Sequence, residues 1–187
     1  MPSARRNVKR DIHLMVDRDE LLLDGTDEKF RQFIFDTIAF SARMNNVIEN
    51  HAKIVELSPP QYLVLTSIMH LSATQDVNVK TIAGHLHISG SFVTTSVGAL
   101  VRKGLVDKVV DKTDRRRVRL KETPAARKLI SRLANVQNQV NNIMFESLTG
   151  KELDVLSRIV ARLLPSAERA VMLQNHLVAE ALAARGA

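Results

Sequence analysis

The segment "VVDKTDRRRVRLKETPAARKL", residues 109–129, alternates valines and charges on both sides of three consecutive arginines, then opens a helix at Thr123-Pro124. Alternation is the period of a strand. The segment therefore predicts a hairpin over residues 105–122, with Leu105, Val109, Val118 and Leu120 at its apolar positions and Arg115, Arg116 and Arg117 on a tight turn after Asp114. Charge placed at the tip of a β-ribbon suits a partner lined with phosphates. A solvated charged turn is the plainer alternative.

The formal net charge of +7 over 187 residues is unevenly placed. Residues 102–121 hold nine Lys or Arg against three Asp, nearly the whole excess. The first ten residues add Arg5, Arg6, Lys9 and Arg10, and seven acids within 11–28 offset them. Such a distribution implies an acidic partner. The chain has no cysteine, which excludes disulfides, zinc-thiolate sites and thiol redox sensing together. The longest apolar stretch, "YLVLTSIMHL", is about half of a membrane span. No apolar core follows the basic N-terminus, so neither a signal peptide nor a membrane partner is expected, and the expected location is the cytoplasm.

Apolar spacing divides the chain. Residues 1–26 read as an arm, basic and then acidic, with one or two helical turns at most. From Asp27, Phe30, Phe33, Ile34, Phe40, Met44, Val47, Ile48 and Ile54 recur at threes and fours, the period of one helix face. "LSPPQYLVLTSIMHL" restarts a helix, with Ser58 as N-cap, prolines in the first turn and Gln61 reaching back. Its residues are apolar on nearly all sides, which predicts burial. "DVNV", 76–79, is a strand candidate. Two long helices close the chain. The first is capped by Thr123-Pro124 and carries Leu129, Leu133, Val136, Val140, Ile143 and Leu148. "TGKE" opens the second, which carries Leu153, Leu156, Val160, Leu163, Ala167, Ala170, Leu177 and Ala181, with a kink expected at Pro165. These series are too long for a lone helical pair to bury, so a second copy is the natural cover. The expected fold is mainly α with a small β-wing: a winged helix-turn-helix over 58–122, and a helical dimerisation region over 27–57 and 123–187.

The reader is "HLHISGSFVTTSVGALVRKG", two short helices separated by "HIS". Ser89 is a good N-cap for the second. At about 100° per residue, Val93, Val97, Leu100 and Val101 share one face, and Ser91, Thr95, Gly98 and Arg102 lie opposite, with Thr94 and Ala99 at the edge. Small polar residues let a helix enter a major groove about 12 Å wide and bring its backbone near base edges. Gly98 costs about 1 kcal/mol against alanine, yet it removes a side chain that would hold the helix away. A plain amphipathic surface helix is the alternative. A ribbon directly after such a helix can lie along the duplex and send a tip arginine into the minor groove, where negative potential is enhanced. The candidate double-stranded DNA contacts are Ser89, Ser91, Thr94, Thr95, Gly98, Arg102, Lys112, Arg115, Arg116 and Arg117.

With these residues in place, the chain resembles the multiple-antibiotic-resistance regulator (MarR) family of winged-helix repressors. The matching stretches are "LSPPQYLVL", "IAGHLHISGSFVTTSVGALVRKGLV" and "DKTDRRRVRLKETPAARKL", within a likeness running over roughly residues 28–175. The resemblance implies a homodimer with its first and last two helices interlocked, binding pseudo-palindromic DNA, and in many members release by a small anionic aromatic compound. For such a compound Arg43 offers a cation and Tyr62 and His70 line the buried helix; each also has an ordinary structural reading. The usual acidic-basic-glycine run after the wing threonine is replaced by "PAARKL", and the arm and the extended C-terminus exceed the family minimum.

Other chemistries find little support. His85 and His87 are two apart, where helical side chains diverge, and no third ligand is local, so no metal and no cofactor is expected. There is no nucleotide-binding glycine loop, nucleophile elbow or HExxH motif, so the chain does not read as an enzyme. Two rivals to a ligand-controlled repressor remain. One is a constitutive or architectural DNA-binding protein without an effector. The other is an interaction protein whose basic wing takes RNA or an acidic protein; Phe92 alone could stack on a base.

Overall fold

The computed structural model describes residues 13–110 and 118–185. Among them are seven α-helices and two strands, in the order α1 Glu28–Ile54, α2 Pro59–Leu71, α3 Val79–Leu86, α4 Gly90–Arg102, β1 Val106–Val110, β2 Val118–Glu122, α5 Pro124–Ser131, α6 Ala134–Met144 and α7 Gly150–Arg185. The chain is mainly helical with a small antiparallel ribbon, a winged helix-turn-helix. It divides into two compact units, Met1–Gln137 and Asn138–Ala187.

In the first unit α2 is the post. Ser58 accepts from the Gln61 amide and the Gln61 side chain accepts from the Ser58 amide, with prolines filling the first turn, so the helix starts where the sequence says it should. Val64, Leu65 and Ile68 are fully buried, and α1, α3, α4 and β2 all pack on this one helix. Val93, Val97 and Leu100 of α4 and Ile82 of α3 complete the same core.

The ribbon pairs Val106 with Glu122 and Val110 with Val118. Its base is closed by Thr123. That hydroxyl donates to the Gly104 carbonyl at 2.8 Å and accepts from the Ala126 amide at 3.2 Å, while its own amide donates to Leu105 at 3.1 Å. One buried threonine thus ends the wing and caps α5.

Two expectations change. "DVNV" is not a strand. Asn78 and Thr81 cap each other, side chain to backbone, at 3.0 and 2.7 Å, and so turn the chain into α3 at once. Val77 keeps a single rung, accepting from the Leu120 amide at 2.7 Å. The first of the two closing helices is also broken, between Ser131 and Ala134. There the Leu133 amide donates to Ile130 rather than continuing the α pattern, and the Leu133 side chain goes fully into the core.

The described part of the arm, from residue 13, folds back on α1. The buried carboxylate of Asp27 accepts from the Met15 amide at 2.7 Å and from Arg31 at 2.8 Å, and Arg31 also donates to the His13 carbonyl. A tight turn at Asp24 and Gly25, both with positive φ, lets the chain reverse between these points.

In the second unit, Thr149 and Glu152 form the expected capping box: the Thr149 amide donates to Glu152 at 2.8 Å and the Glu152 amide to the Thr149 hydroxyl at 3.3 Å. α7 then runs 36 residues, through Pro165, and every one of its residues is exposed.

The Arg31 hydrogen bond, and then the Met15 amide, hold the Asp27 carboxyl below the usual aspartate value, against the opposing effect of burial. A depressed native value means the contribution is full at neutral pH and lost only as pH falls below the ordinary aspartate range toward that lower value. Asp27→Ala at neutral pH should release the arm: the Met15 amide should exchange roughly tenfold or more faster, with the α2 core amides unchanged. Equal protection of Met15 in both proteins would show that the clasp does not hold the arm.

Candidate nucleic-acid interface

The reader helix α4 is built outward from its buried face. Val93, Val97 and Leu100 are fully buried or nearly so, and Ser96 is buried with them. This fixes which residues turn to solvent. Ser91, Thr94, Thr95 and Arg102 are exposed, and Gly98 is half-buried between them. Ser89 is the N-cap; its hydroxyl accepts from the Phe92 amide at 3.3 Å and lies 3.0 Å from that of Ser91. Two hydroxyls at a helix N-terminus, beside free amides, form a place where a phosphate is favoured. Thr94 and Thr95 donate back to the Gly90 and Ser91 carbonyls at 2.8 and 3.1 Å, leaving their methyls and oxygen lone pairs outward.

Gly98 is not demanded by this chain's own packing. An added Cβ would come no closer than 3.6 Å to any neighbour, that neighbour being the Arg102 guanidinium, in ordinary van der Waals contact. The helix thus forgoes stability at a place where nothing inside the molecule needs room.

The wing is tied down where it meets the body. Arg119 pairs with Asp76 at 3.1 Å, beside the Leu120–Val77 rung, so β2 is fastened to the loop that leads into α3. Lys108 and Lys121 are exposed along the ribbon. The sequence candidates Lys112, Arg115, Arg116 and Arg117 lie outside the described residues.

The three effector candidates are not gathered into one site. Arg43 is exposed and donates to its own helix, to the Ala39 carbonyl at 2.8 Å. Tyr62 and His70 sit eight residues apart on α2, about 12 Å along its axis. His70 is exposed and stacks on His85 with centroids 5.6 Å apart. Tyr62 is buried; it accepts from the Gln137 side chain at 2.7 Å and its ring is tilted against His51 at 6.0 Å. Burial pushes the Tyr62 phenol up and holds His51 neutral to lower pH. The His51 Nε2 is buried and finds no hydrogen-bond partner among the described residues. Neither His51 nor Gln137 carries a local sequence signal, because they are brought to Tyr62 only by the fold. Among the described residues no three His, Cys, Asp or Glu side chains cluster as a metal site, and no helix is long and apolar enough to cross a membrane.

Residues 56–117 match the family model described as MarR family. YsmB, an HTH-type transcriptional regulator of Bacillus subtilis (strain 168), is 25% identical over 107 residues, 57% of this chain and 71% of that protein. The MepR–DNA complex of S. aureus has a similar fold, with a TM-score of 0.58 at 18% identity over 80% of this chain and 99% of that one. PcaV of Streptomyces coelicolor, solved with its natural ligand, has a TM-score of 0.53 at 25% identity over 68% of this chain and 90% of that one.

Gly98→Ala separates the chain's own packing from its contact with a duplex. The helix should gain up to about 1 kcal/mol, read as a higher Tm, while affinity for operator DNA should drop. A rise in Tm with unchanged affinity would take Gly98 out of the interface.

Proposed function

We propose that this chain is a transcriptional regulator of the MarR type, to whose family model residues 56–117 match, and that it acts as a homodimeric repressor on a pseudo-palindromic operator. The observation that carries the reading is the outward face of α4: small, hydroxyl-bearing and uncharged until Arg102, held out by a fully buried opposite face. Ser91, Thr94, Thr95 and Gly98 meet base edges, Ser89 and Arg102 meet phosphates, and the wing carries Lys112, Arg115, Arg116 and Arg117 to the neighbouring minor groove. Two such readers related by a twofold sit about 34 Å apart, so the preferred site is an inverted repeat with half-site centres about 10 bp apart.

A small-molecule response belongs to the same proposal. PcaV is a relative in fold that carries a natural ligand. Of the three candidates, Tyr62 supports a ligand contact best, because it lies beside the buried His51 Nε2, which has no hydrogen-bond partner among the described residues. Neutral His51 suits a hydroxyl or phenol donor there. A panel of phenols and aromatic acids should raise the Tm of the protein and release it from DNA, and Tyr62→Phe should remove both effects. Release that Tyr62→Phe leaves intact would move the ligand elsewhere.

Arg116→Ala tests the wing. If this residue enters the minor groove, affinity should fall by about 1–3 kcal/mol, and by more on A/T-rich flanks, where the groove is narrow. A neighbouring arginine that touches only phosphate should weaken all sequences alike and lower the salt slope by about one. Equal, sequence-blind losses for Arg115, Arg116 and Arg117 would leave only a basic patch. A footprint without a protected palindrome would favour an architectural protein instead.

A further inference from the structure

Phe92 is the one large apolar side chain of α2–α4 that the fold leaves in solvent. It is 45% exposed, whereas every other Leu, Ile, Val, Met or Tyr of these helices is buried or half-buried. Single exposed apolar residues are ordinary on protein surfaces; this one is set apart by its place. Ser89 caps α4 through the Phe92 amide, at 3.3 Å, so the ring stands in the first turn of the reader. That turn is the part of such a helix that meets base edges.

Phe92, Thr95 and Ala99 follow at steps of three and four and share one flank of α4, turned away from Val93 and Leu100. The Thr95 hydroxyl donates to the Ser91 carbonyl at 3.1 Å, so its proton is engaged within the helix and its methyl is left over. What this flank presents is therefore C–H surface: a phenyl ring, a threonine methyl and an alanine methyl. From Gly90 to Val101 the helix has no Arg, Lys, Asn, Gln, Asp or Glu, the side chains that pair with the edges of guanine, adenine and cytosine. In the major groove the feature that matches C–H surface is the 5-methyl group of thymine.

We infer that this flank of α4 reads thymine methyls and that Phe92 is a specificity-determining residue, covering one of them. This rests on the DNA-binding regulator proposed above and names what its reader recognises. From Phe92 to Ala99 is about 10 Å along the helix axis, the length of about three base pairs, so the flank covers up to three methyls in each half-site. The cations that hold the helix in the groove enter only at its end, with the exposed Arg102, Lys103 and Lys108, and phosphate contacts of that kind carry no sequence information. Stacking of an unpaired base on Phe92 is the weaker reading. Single-strand binding uses successive rings, and the other phenyl or phenol ring of α2–α4, Tyr62, is buried.

Replacing thymine by deoxyuridine removes the methyl and nothing else. The full-length protein selects its preferred site from a pool of random duplexes, and each thymine of that site is then replaced in turn. At up to three positions in each half-site, loss of the methyl should lower affinity about fourfold, the equivalent of one buried methylene. Phe92→Ala should erase the difference between thymine and deoxyuridine at one of those positions and keep it at the others, with Tm unchanged because the ring is exposed. At that same position 5-methylcytosine should bind about fourfold better than cytosine to the wild-type protein, and no better to Phe92→Ala. A ring that is merely structural would weaken all duplexes alike in Phe92→Ala, and one that serves RNA or a protein partner would change no duplex affinity. Either result leaves every thymine–deoxyuridine difference intact and overturns the inference, as does a selected site at which no deoxyuridine matters. All of these leave the regulator standing, since a site was selected. A protein that selects no site overturns both.

Discussion

Everything in the first unit depends on α2 being apolar on nearly every side. A helix of that kind is unstable unless each of its faces is covered, and α1, α3, α4 and β2 supply the cover. Burial of Val64, Leu65 and Ile68 contributes about 1.5–3 kcal/mol for each side chain. Removing one would also leave a cavity, for a total cost of roughly 2–5 kcal/mol. The reader is oriented as a by-product. Val93, Val97 and Leu100 must face α2, so the hydroxyl face of α4 can only face outward.

The wing is placed by the same economy. Leu105, Val106 and Leu120 belong to the core, whereas Val109, Val110 and Val118 are exposed, so the ribbon is packed at its base only. Thr123 closes the base, and the Val77 carbonyl with the Asp76–Arg119 pair fastens the second strand to the entry of α3. Strand β2 is thereby joined to both the turn before the helix pair and the helix after it. Movement of the wing against α4 would have to break those three contacts together.

Much of this was legible in the sequence, and the reasons are local. Ser58, Ser89 and Thr123 cap the helices they were expected to cap, because a cap is written within four residues. Periodicity placed Val93, Val97 and Leu100 inward and Ser91, Thr95 and Arg102 outward, as they are; it missed the buried Ser96, and Val101 and Gly98 are only half-buried. What failed was competition between equally local signals. "DVNV" has strand composition, but Asn78 and Thr81 satisfy each other's backbone and start a helix before a strand can form. The break ahead of α6 was hidden because Leu133 fits the helical series whether the chain continues or turns to bury it. The His51–Tyr62–Gln137 corner was invisible for a different reason. Its members come from α1, α2 and α6, and no spacing along the chain records that meeting. The wing tip, on which the opening inference rests, lies outside the described residues, so its charge is read from sequence alone.

The composition of α4 shows how its stability and its use of DNA oppose each other. Serines, threonines, β-branched valines and Gly98 make it a poor helix by intrinsic preference, roughly 5 kcal/mol worse than the same length of alanine. Thr94 and Thr95 also turn their hydroxyls back onto their own helix, which bends helices slightly and does not strengthen them. The inward residues reverse the balance: Val93, Val97 and Leu100 together return about 5–9 kcal/mol on burial. The reader is therefore helical because it is packed, and it would not persist as a helix away from α2. That division of labour frees the outward positions from any duty to stabilise. They can be small and polar, as close approach to base edges requires, since the residues on the other side of the same helix carry the fold.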